Sequence, residues 1–294
     1  MAPSLPIPFQ WLGLFATVTV FTVMLALGLD LGREQLAALR SRLGVLLSVM
    51  LAVVVVVPVL AVLGLLAFDV RGPVAVGIVL MTISPGAPVA LRRALDAGGD
   101  RGFAPALHLV IVALAVLTVP AAVAILDRLF AQDLAVSPRH IGRQVFFAQV
   151  LPLALGAALR ALRPALAARL VTPLAHVGNA LLLAVAVAVL VNLPAIIAAV
   201  GWTPVLAGGA ITAAALALGS AFAGRDAAVR PAAAVAAAMR NPGLAIVIAT
   251  VNRAPPEVTA AVLGYALGLT AALTAYLVWR RRASARAMRP GQGT

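Results

Sequence analysis

The 294-residue chain is too apolar for a soluble protein of its length. Apolar residues make up 63% of it, charged residues make up 11%, and the mean hydropathy is +1.10. A soluble domain of this composition would expose large apolar patches. Runs of about 20 apolar residues recur, which is the length that an α-helix needs to cross roughly 30 Å of hydrocarbon. The composition therefore predicts an all-α polytopic membrane protein.

The net charge of +13 does not indicate nucleic-acid binding. All 22 basic residues are arginines, and most lie in short gaps between apolar runs, where basic residues orient membrane helices. The absence of cysteine excludes disulfides, thiolate nucleophiles and cysteine-ligated metals. The first ten residues lack the basic stretch and cleavage site of a secretory signal, so the first apolar run is predicted to be a retained span.

Apolar runs bounded by Arg, Asp, Pro or Gly predict nine membrane spans. No soluble domain is left over, so residues 1–294 are predicted to form a single transmembrane domain. The predicted spans are 10–29, 43–68, 72–91, 103–126, 140–159, 173–200, 203–222, 229–251 and 257–279.

The placement of the arginines predicts the orientation of these spans. With nine spans, 16 of the 22 arginines fall on one side of the membrane, five fall on the other and Arg240 lies inside a span. Cytoplasmic loops hold the excess of basic residues. The pattern therefore predicts a protein of the cell (inner) membrane with its N-terminus outside and its C-terminus in the cytoplasm.

The third and eighth spans are interrupted in a related way. The third carries the sequence SPGAP at residues 84–88, and the eighth carries RNPG at residues 240–243. Proline removes a backbone donor and glycine weakens a helix, so each motif should unwind its span. Two broken spans at mirrored places are typical of inverted-repeat transporters. We expect an incomplete first repeat at about 10–126 and a second repeat at about 140–280.

Three segments carry a resemblance to a known family. They are MRNPGLA at residues 239–245, the Ser-Pro-Gly of the first break, and LGLDL at residues 27–31. With them the chain resembles the bile acid:sodium symporter family, including its bacterial members, over nearly its whole length. The resemblance implies a panel domain and a core domain, two broken helices that cross in the core, and alternating access with a substrate cavity beside the crossing. The candidate substrate-binding residues are therefore Thr82, Ser84, Pro85, Gly86, Arg240, Asn241, Pro242 and Gly243.

The resemblance fails at the positions where sodium-coupled family members bind the cation. Those members place an acidic residue and a glutamine in the eighth span, Ser-Asn after the first break, and two hydroxyl residues in the helix that follows. Here these positions are occupied by Ala236, Arg240, Ala90, Leu91, Ala104 and His108. Because sodium needs several oxygen ligands, we predict no metal site and doubt sodium coupling.

Arg240 offers another way to hold an anion at the crossing. A guanidinium supplies permanently the positive charge that a bound sodium ion would supply transiently, and helix N-termini after Pro85 and Pro242 would add to it. The alternative is a structural role, in which Arg240 neutralises the carbonyl ends of the broken helices. Asn241 has two possible roles: it binds substrate, or its side chain ties the unwound backbone to the neighbouring helix. His108 is the candidate coupling residue for protons, with helix packing as its alternative.

Other protein classes fit the sequence less well. An intramembrane enzyme would need a His-Glu-x-x-His helix, a Gly-x-Ser-x-Gly elbow or paired intramembrane aspartates, and none is present. A channel is a second alternative, but inverted broken helices without a ring-forming filter fit a carrier better. An auxin-efflux or arsenite-carrier type of transporter remains the alternative carrier. The expected partners are a small organic anion (a steroid conjugate, a keto acid or another carboxylate) and membrane lipid, with no cofactor.

Overall fold

The computed structural model describes residues 9–31, 41–87, 89–130 and 138–287. In these residues the backbone forms α-helices and two π-helical turns, and its only extended pairing is one isolated bridge. The α-helices are α1 (Phe9–Asp30), α2 (Leu43–Leu51), α3 (Val57–Ala67), α4 (Gly72–Thr82), α5 (Ala90–Asp96), α6 (Phe103–Phe130), α7 (Pro138–Val145), α8 (Leu151–Leu162), α9 (Pro164–Val191), α10 (Leu193–Val200), α11 (Thr203–Phe222), α12 (Arg230–Ala238), α13 (Pro242–Val251) and α14 (Pro256–Ala287). The π-helical turns are Ala52–Val56, between α2 and α3, and Phe146–Val150, between α7 and α8.

Six helical stretches in the described part of the chain are long and apolar enough to cross a membrane. They are Leu43–Ala67, Phe103–Ile125, Arg139–Leu162, Pro164–Val191, Thr203–Phe222 and Pro256–Ala283. Three apolar helices are shorter: Leu14–Asp30, Gly72–Thr82 and Pro242–Val251. The last two are halves of the interrupted third and eighth spans. The chain is thus an all-helical, multi-pass membrane protein, as the composition predicts.

The sixth predicted span begins too late. The apolar run predicts a span over 173–200, but α9 begins at Pro164, so Pro173 lies inside the helix. Proline at the first helical position has no N–H to lose and already has a helical φ, so Pro164 starts the helix. An interior proline is tolerated in membrane helices because neighbouring groups satisfy the carbonyl that it frees. The same predicted span is also divided near its end, at Asn192, between α9 and α10.

Each π-helical turn is followed by a proline. The N–H of Val57 donates to the carbonyl of Ala52, five residues back, and Pro58 comes next. The next bond of this ladder would join the N–H of residue 58 to the carbonyl of Val53, but proline has no N–H. The carbonyl of Val53 therefore has no donor within its own π ladder. The second π turn has the same pattern, ending at Leu151 and followed by Pro152.

The helices pack in two groups that meet along a seam. We call α1, α8 and α9 the panel helices, because α1 packs against both α8 and α9. The core helices are α2 to α6 and α11 to α14, in which α11 packs against α12 and α14, and α4 packs against α14. The two groups meet where α1 contacts α13 and where the second π turn contacts α6. The two broken spans lie in the core group beside this seam.

Loops predicted to lie on the arginine-rich side of the membrane contact one another. Arg42, before α2, forms ion pairs with Asp100 at 3.5 Å and with Asp226 at 3.6 Å. Near the end of α14, the Nε of Arg280 donates to the carbonyl of Ala97 at 3.2 Å. These contacts bring four separate parts of the chain to one end of the molecule.

Candidate functional site

The two broken spans meet at their breaks and bond to each other through their backbones, and we call this contact the crossing. Pro85 and Arg240 form an isolated antiparallel bridge. Beside it, the N–H of Asn241 donates to the carbonyl of Ser84 at 2.8 Å. Unwound backbone inside a membrane must find protein partners. The second break therefore supplies a hydrogen-bond donor to the unwound backbone of the first. The residues predicted to bind substrate are brought together at this contact.

Asn241 ties this crossing together through its side chain. Its Oδ1 accepts from the N–H of Leu244 at 3.1 Å, which caps the first turn of α13. Its Nδ2 makes a long contact of 3.5 Å with the carbonyl of Gly86. Gly86 has a φ of +79°, in the left-handed region that favours glycine. Of the two roles open to Asn241, the backbone tie is the one formed in this structure.

The helix N-termini at the crossing differ from the expected pair. α13 begins at Pro242, directly after the second break, but its first turn is capped by Asn241. After the first break the helix α5 begins only at Ala90, five residues past Pro85, and it is seven residues long. Pro88 of the first motif lies outside the described residues. In the described residues, only α13 therefore begins directly at a break.

Arg240 is buried at the crossing and bonds to two carbonyls. It is 1% exposed; its Nη1 donates to Val53 at 3.1 Å and its Nη2 donates to Ala237 at 2.9 Å. Because Pro58 has no N–H, the carbonyl of Val53 receives no hydrogen bond from within the π ladder. The carbonyl of Ala237 would accept from residue 241 if α12 continued, but that N–H is bonded to the first break. Arg240 thus replaces two missing backbone donors on different spans.

The guanidinium of Arg240 is not neutralised by a protein carboxylate. Among the described residues no Asp or Glu lies within ion-pair distance of it. Its Nε has no hydrogen-bond partner. A buried positive charge held only by carbonyl groups favours an anion in its vicinity. Arg240 thus makes the contacts of the structural role, and its charge has no carboxylate partner among the described residues.

The remaining candidate residues lie around the same point: those of the first break are buried, whereas Pro242 and Gly243 are half-buried. Thr82 and Ser84 are both 0% exposed. The hydroxyl of Thr82 donates to the carbonyl of Val79 at 2.8 Å, within its own helix, whereas the hydroxyl of Ser84 has no partner. Gly243 lies against α1, since a Cβ there would come within 2.7 Å of a methyl group of Val20. The second break is therefore in contact with a panel helix.

His108 lies away from the crossing, in a cavity along the seam. It is 6% exposed, and its Nε2 has no hydrogen-bond partner. The cavity has a volume of about 40 Å³, enough for one or two waters. Asp30, from the LGLDL run that ends α1, lines the same cavity. The structure thus places the candidate coupling residue and an acidic residue of a panel helix around one small space.

Gln149 is a buried polar residue near the first break that sequence reasoning missed. It is completely buried in the second π turn, and neither end of its amide has a hydrogen-bond partner. The available signal was a polar amide inside an apolar run, two residues after Phe146-Phe147. That signal did not indicate which neighbour the amide would face.

The comparison with protein families decides the class of the molecule. The model described as the sodium bile acid symporter family matches residues 17–199, more than half of the chain. The chain belongs to the sodium bile acid symporter family. A search of curated proteins gave no match. The matched region includes the first break, His108 and Gln149. The second break lies outside the matched region, but it contacts that region where the N–H of Asn241 donates to the carbonyl of Ser84.

The positions that the sequence analysis aligned with the family's sodium ligands lie close together in the core helices. Helices α5, α6 and α12, which carry most of them, pack against one another. Ala90 and Ala104 are buried there, and Ala236 is half-buried. Alanine side chains supply no oxygen to a cation. In the described residues no cluster of three or more His, Asp or Glu side chains could hold a metal ion.

Proposed function

We propose that this protein is a secondary transporter that carries a small organic anion across the cell membrane by alternating access. The observation that carries the proposal is the hydrogen-bonded crossing of two broken spans in a chain of the sodium bile acid symporter family. We further propose nine spans arranged as inverted repeats, with the broken helices at corresponding places. The bile acids in the family's description support an organic anion as substrate.

The packing at the seam supports movement of the panel helices against the core helices. A small apolar cluster, separate from the main core, joins α1, α6 and the fifth span there. Its buried members are Val20, Met24, Val112, Ala148 and Leu153. The cavity beside the crossing, lined by Val53, Thr82 and Pro85, has a volume of only about 10 Å³. A substrate would reach the crossing only after the two groups of helices separate at the seam.

Uptake of an organic anion by the purified protein should not depend on sodium. In proteoliposomes we expect saturable uptake of at least one labelled anion from a panel containing a bile salt, a 2-keto acid and an aliphatic monocarboxylate. The initial rate should be equal within about twofold when sodium is replaced by choline, because the aligned ligand positions lack oxygens. Labelled flux with and without the gradient is the measurement.

Three outcomes of this experiment are informative. Accumulation driven by a sodium gradient would contradict the sodium independence and require another cation site. Non-saturable flux without counterflow would favour a channel over a carrier. Absence of uptake for every anion and condition would contradict organic-anion transport itself.

Proton coupling through His108 is a second proposal, supported by its unpartnered nitrogen and the neighbouring Asp30. The change His108→Gln keeps a polar side chain but removes the titrating group. We expect it to reduce proton-driven accumulation to the level without a gradient, while exchange at equal pH persists. His176→Gln, at an exposed position on α9, is the matched control and should accumulate as the unchanged protein does. Accumulation that His108→Gln leaves intact would contradict this role.

The orientation and the lipid partner are also proposals. A surface groove of about 370 Å³ at the arginine-rich end is lined by Arg230, Tyr276, Trp279 and Arg280. Arginines at a cytoplasmic membrane surface attract anionic headgroups, and tyrosine and tryptophan favour the same interface. These residues support a cytoplasmic C-terminus and contact with anionic lipid at this end.

A further inference from the structure

The amide of Gln149 is buried at a high energetic cost. Gln149 is 0% exposed, and neither its Nε2 nor its Oε1 has a hydrogen-bond partner. A buried polar group that has lost its water and found no partner destabilises the folded state. Gln149 also lies in a π-helical turn, a rare geometry that is frequent at functional sites. A side chain that only filled space there would be more stable if it were apolar.

Gln149 faces the first break. A Cβ added to Gly86 would lie 3.6 Å from Oε1 of Gln149 and 3.0 Å from a methyl group of Val112 on α6. The carbonyl of Gly86 is also the group that Asn241 contacts from the second break. The second half of the fifth span is the panel helix α8. The side chain of Gln149 therefore extends from this span to the point where both breaks meet.

The cavity that holds His108 lies one helical turn from this point. Leu153 follows Gln149 by four residues and lines that cavity, and His108 precedes Val112 by four residues and lines it too. Residues four apart on a helix are neighbours on one face, about 6 Å apart. The same faces of two helices therefore join the cavity to the crossing, and Gln149 lies at the inner end of this approach.

We infer that Gln149 is a substrate-binding residue for carboxylates that carry a hydroxyl group next to the carboxylate. An amide offers one acceptor and a donor group side by side, so it can donate to a carboxylate oxygen and accept from a neighbouring hydroxyl. A carboxylate with only an apolar substituent would leave Oε1 unpaired. The inference rests on the proposed transport function and adds the substrate class and a residue that discriminates within it.

Gln149→Met tests the inference, since methionine has similar length and no polar group. Two quantities are measured on the full-length protein: the melting temperature in detergent, and proteoliposome uptake of lactate against propionate, mandelate against phenylacetate, and malate against succinate. We expect the melting temperature to rise by about 3 °C, because an unpaired amide is removed. We expect the preference for the hydroxylated member of a transported pair to fall by about tenfold.

Gln144→Met is the matched control, because Gln144 is half-buried on α7 of the same span and should leave the preference unchanged. A preference that Gln149→Met leaves as it was would overturn the inference while the transport function stands. A lower melting temperature in Gln149→Met would also overturn it, since the amide would then be paired within the folded protein. Wild-type protein that transports none of the six acids, nor any other organic anion, would overturn the proposed function and this inference with it.

Discussion

Replacing Arg240 with methionine should lower the melting temperature of the protein by about 5 °C. The change removes charged hydrogen bonds to Val53 and Ala237, each worth about 1.5–3 kcal/mol. It also removes a buried charge, and the relief of its desolvation offsets part of that loss. A net loss of about 2 kcal/mol corresponds to the stated shift for a protein of this size. Thermal unfolding of the detergent-purified protein measures it.

A second change tests the proposed reason for this loss. Pro58→Ala restores an N–H that can donate to the carbonyl of Val53. In the Pro58→Ala background, Arg240→Met should therefore cost about 1 kcal/mol less than it does alone. Pro152→Ala is the matched control, because Pro152 follows the second π turn in the same way but Arg240 does not bond there. Equal coupling of Arg240 to both prolines would contradict the assignment.

Transport by the same variants separates the two roles of Arg240. We expect Arg240→Met to lose uptake of the organic anion by at least about tenfold, as a charged hydrogen bond is worth about 1.5–3 kcal/mol. Pro58→Ala should not restore it, because this change returns a donor to Val53 but no positive charge. Restored uptake in the double variant would show that Arg240 only stabilises the crossing.

The broken helices and most of their neighbours could be predicted from the sequence because their signals are local. Proline and glycine act on the residues beside them, so α4 ends at Thr82 and α12 ends at Ala238, where the motifs indicate. α11 spans Thr203–Phe222, the range that the apolar run predicts. The start of α9 was missed because Pro173 resembles a helix start, whereas Pro164 is one.

The partners at the crossing could not be predicted because they depend on distant parts of the chain. Arg240 was recognisable as a buried charge, yet its bond to Val53 spans 187 positions of sequence. That bond exists only because a π turn and Pro58 free a carbonyl on another span. Likewise, Asp30 and His108 line one cavity only after α1 and α6 have packed across the seam. Inverted repeats and alternating access remain predictions.

Replacing Gly268 with leucine should abolish the folded protein. Gly268 on α14 faces α11 so closely that a Cβ would overlap the carbonyl oxygen of Val205 and lie 2.6 Å from the N–H nitrogen of Gly209. In return, a Cβ at Gly208 would overlap the carbonyl of Tyr265. The two backbones are thus in mutual contact, as small residues permit between membrane helices.

A leucine at position 268 would meet backbone, which cannot rotate away as a side chain can, so the helices must separate. Overpacking typically costs about 1–3 kcal/mol where side chains yield, and more is expected here. We expect loss of the monodisperse peak in size-exclusion chromatography. Gly64→Leu is the control, because a Cβ there meets nothing within 4 Å, and it should retain the peak. A folded Gly268→Leu variant would mean that α11 and α14 tolerate a wider spacing. Since α12 and α4 pack against these two helices, their spacing sets how the broken spans are held at the crossing.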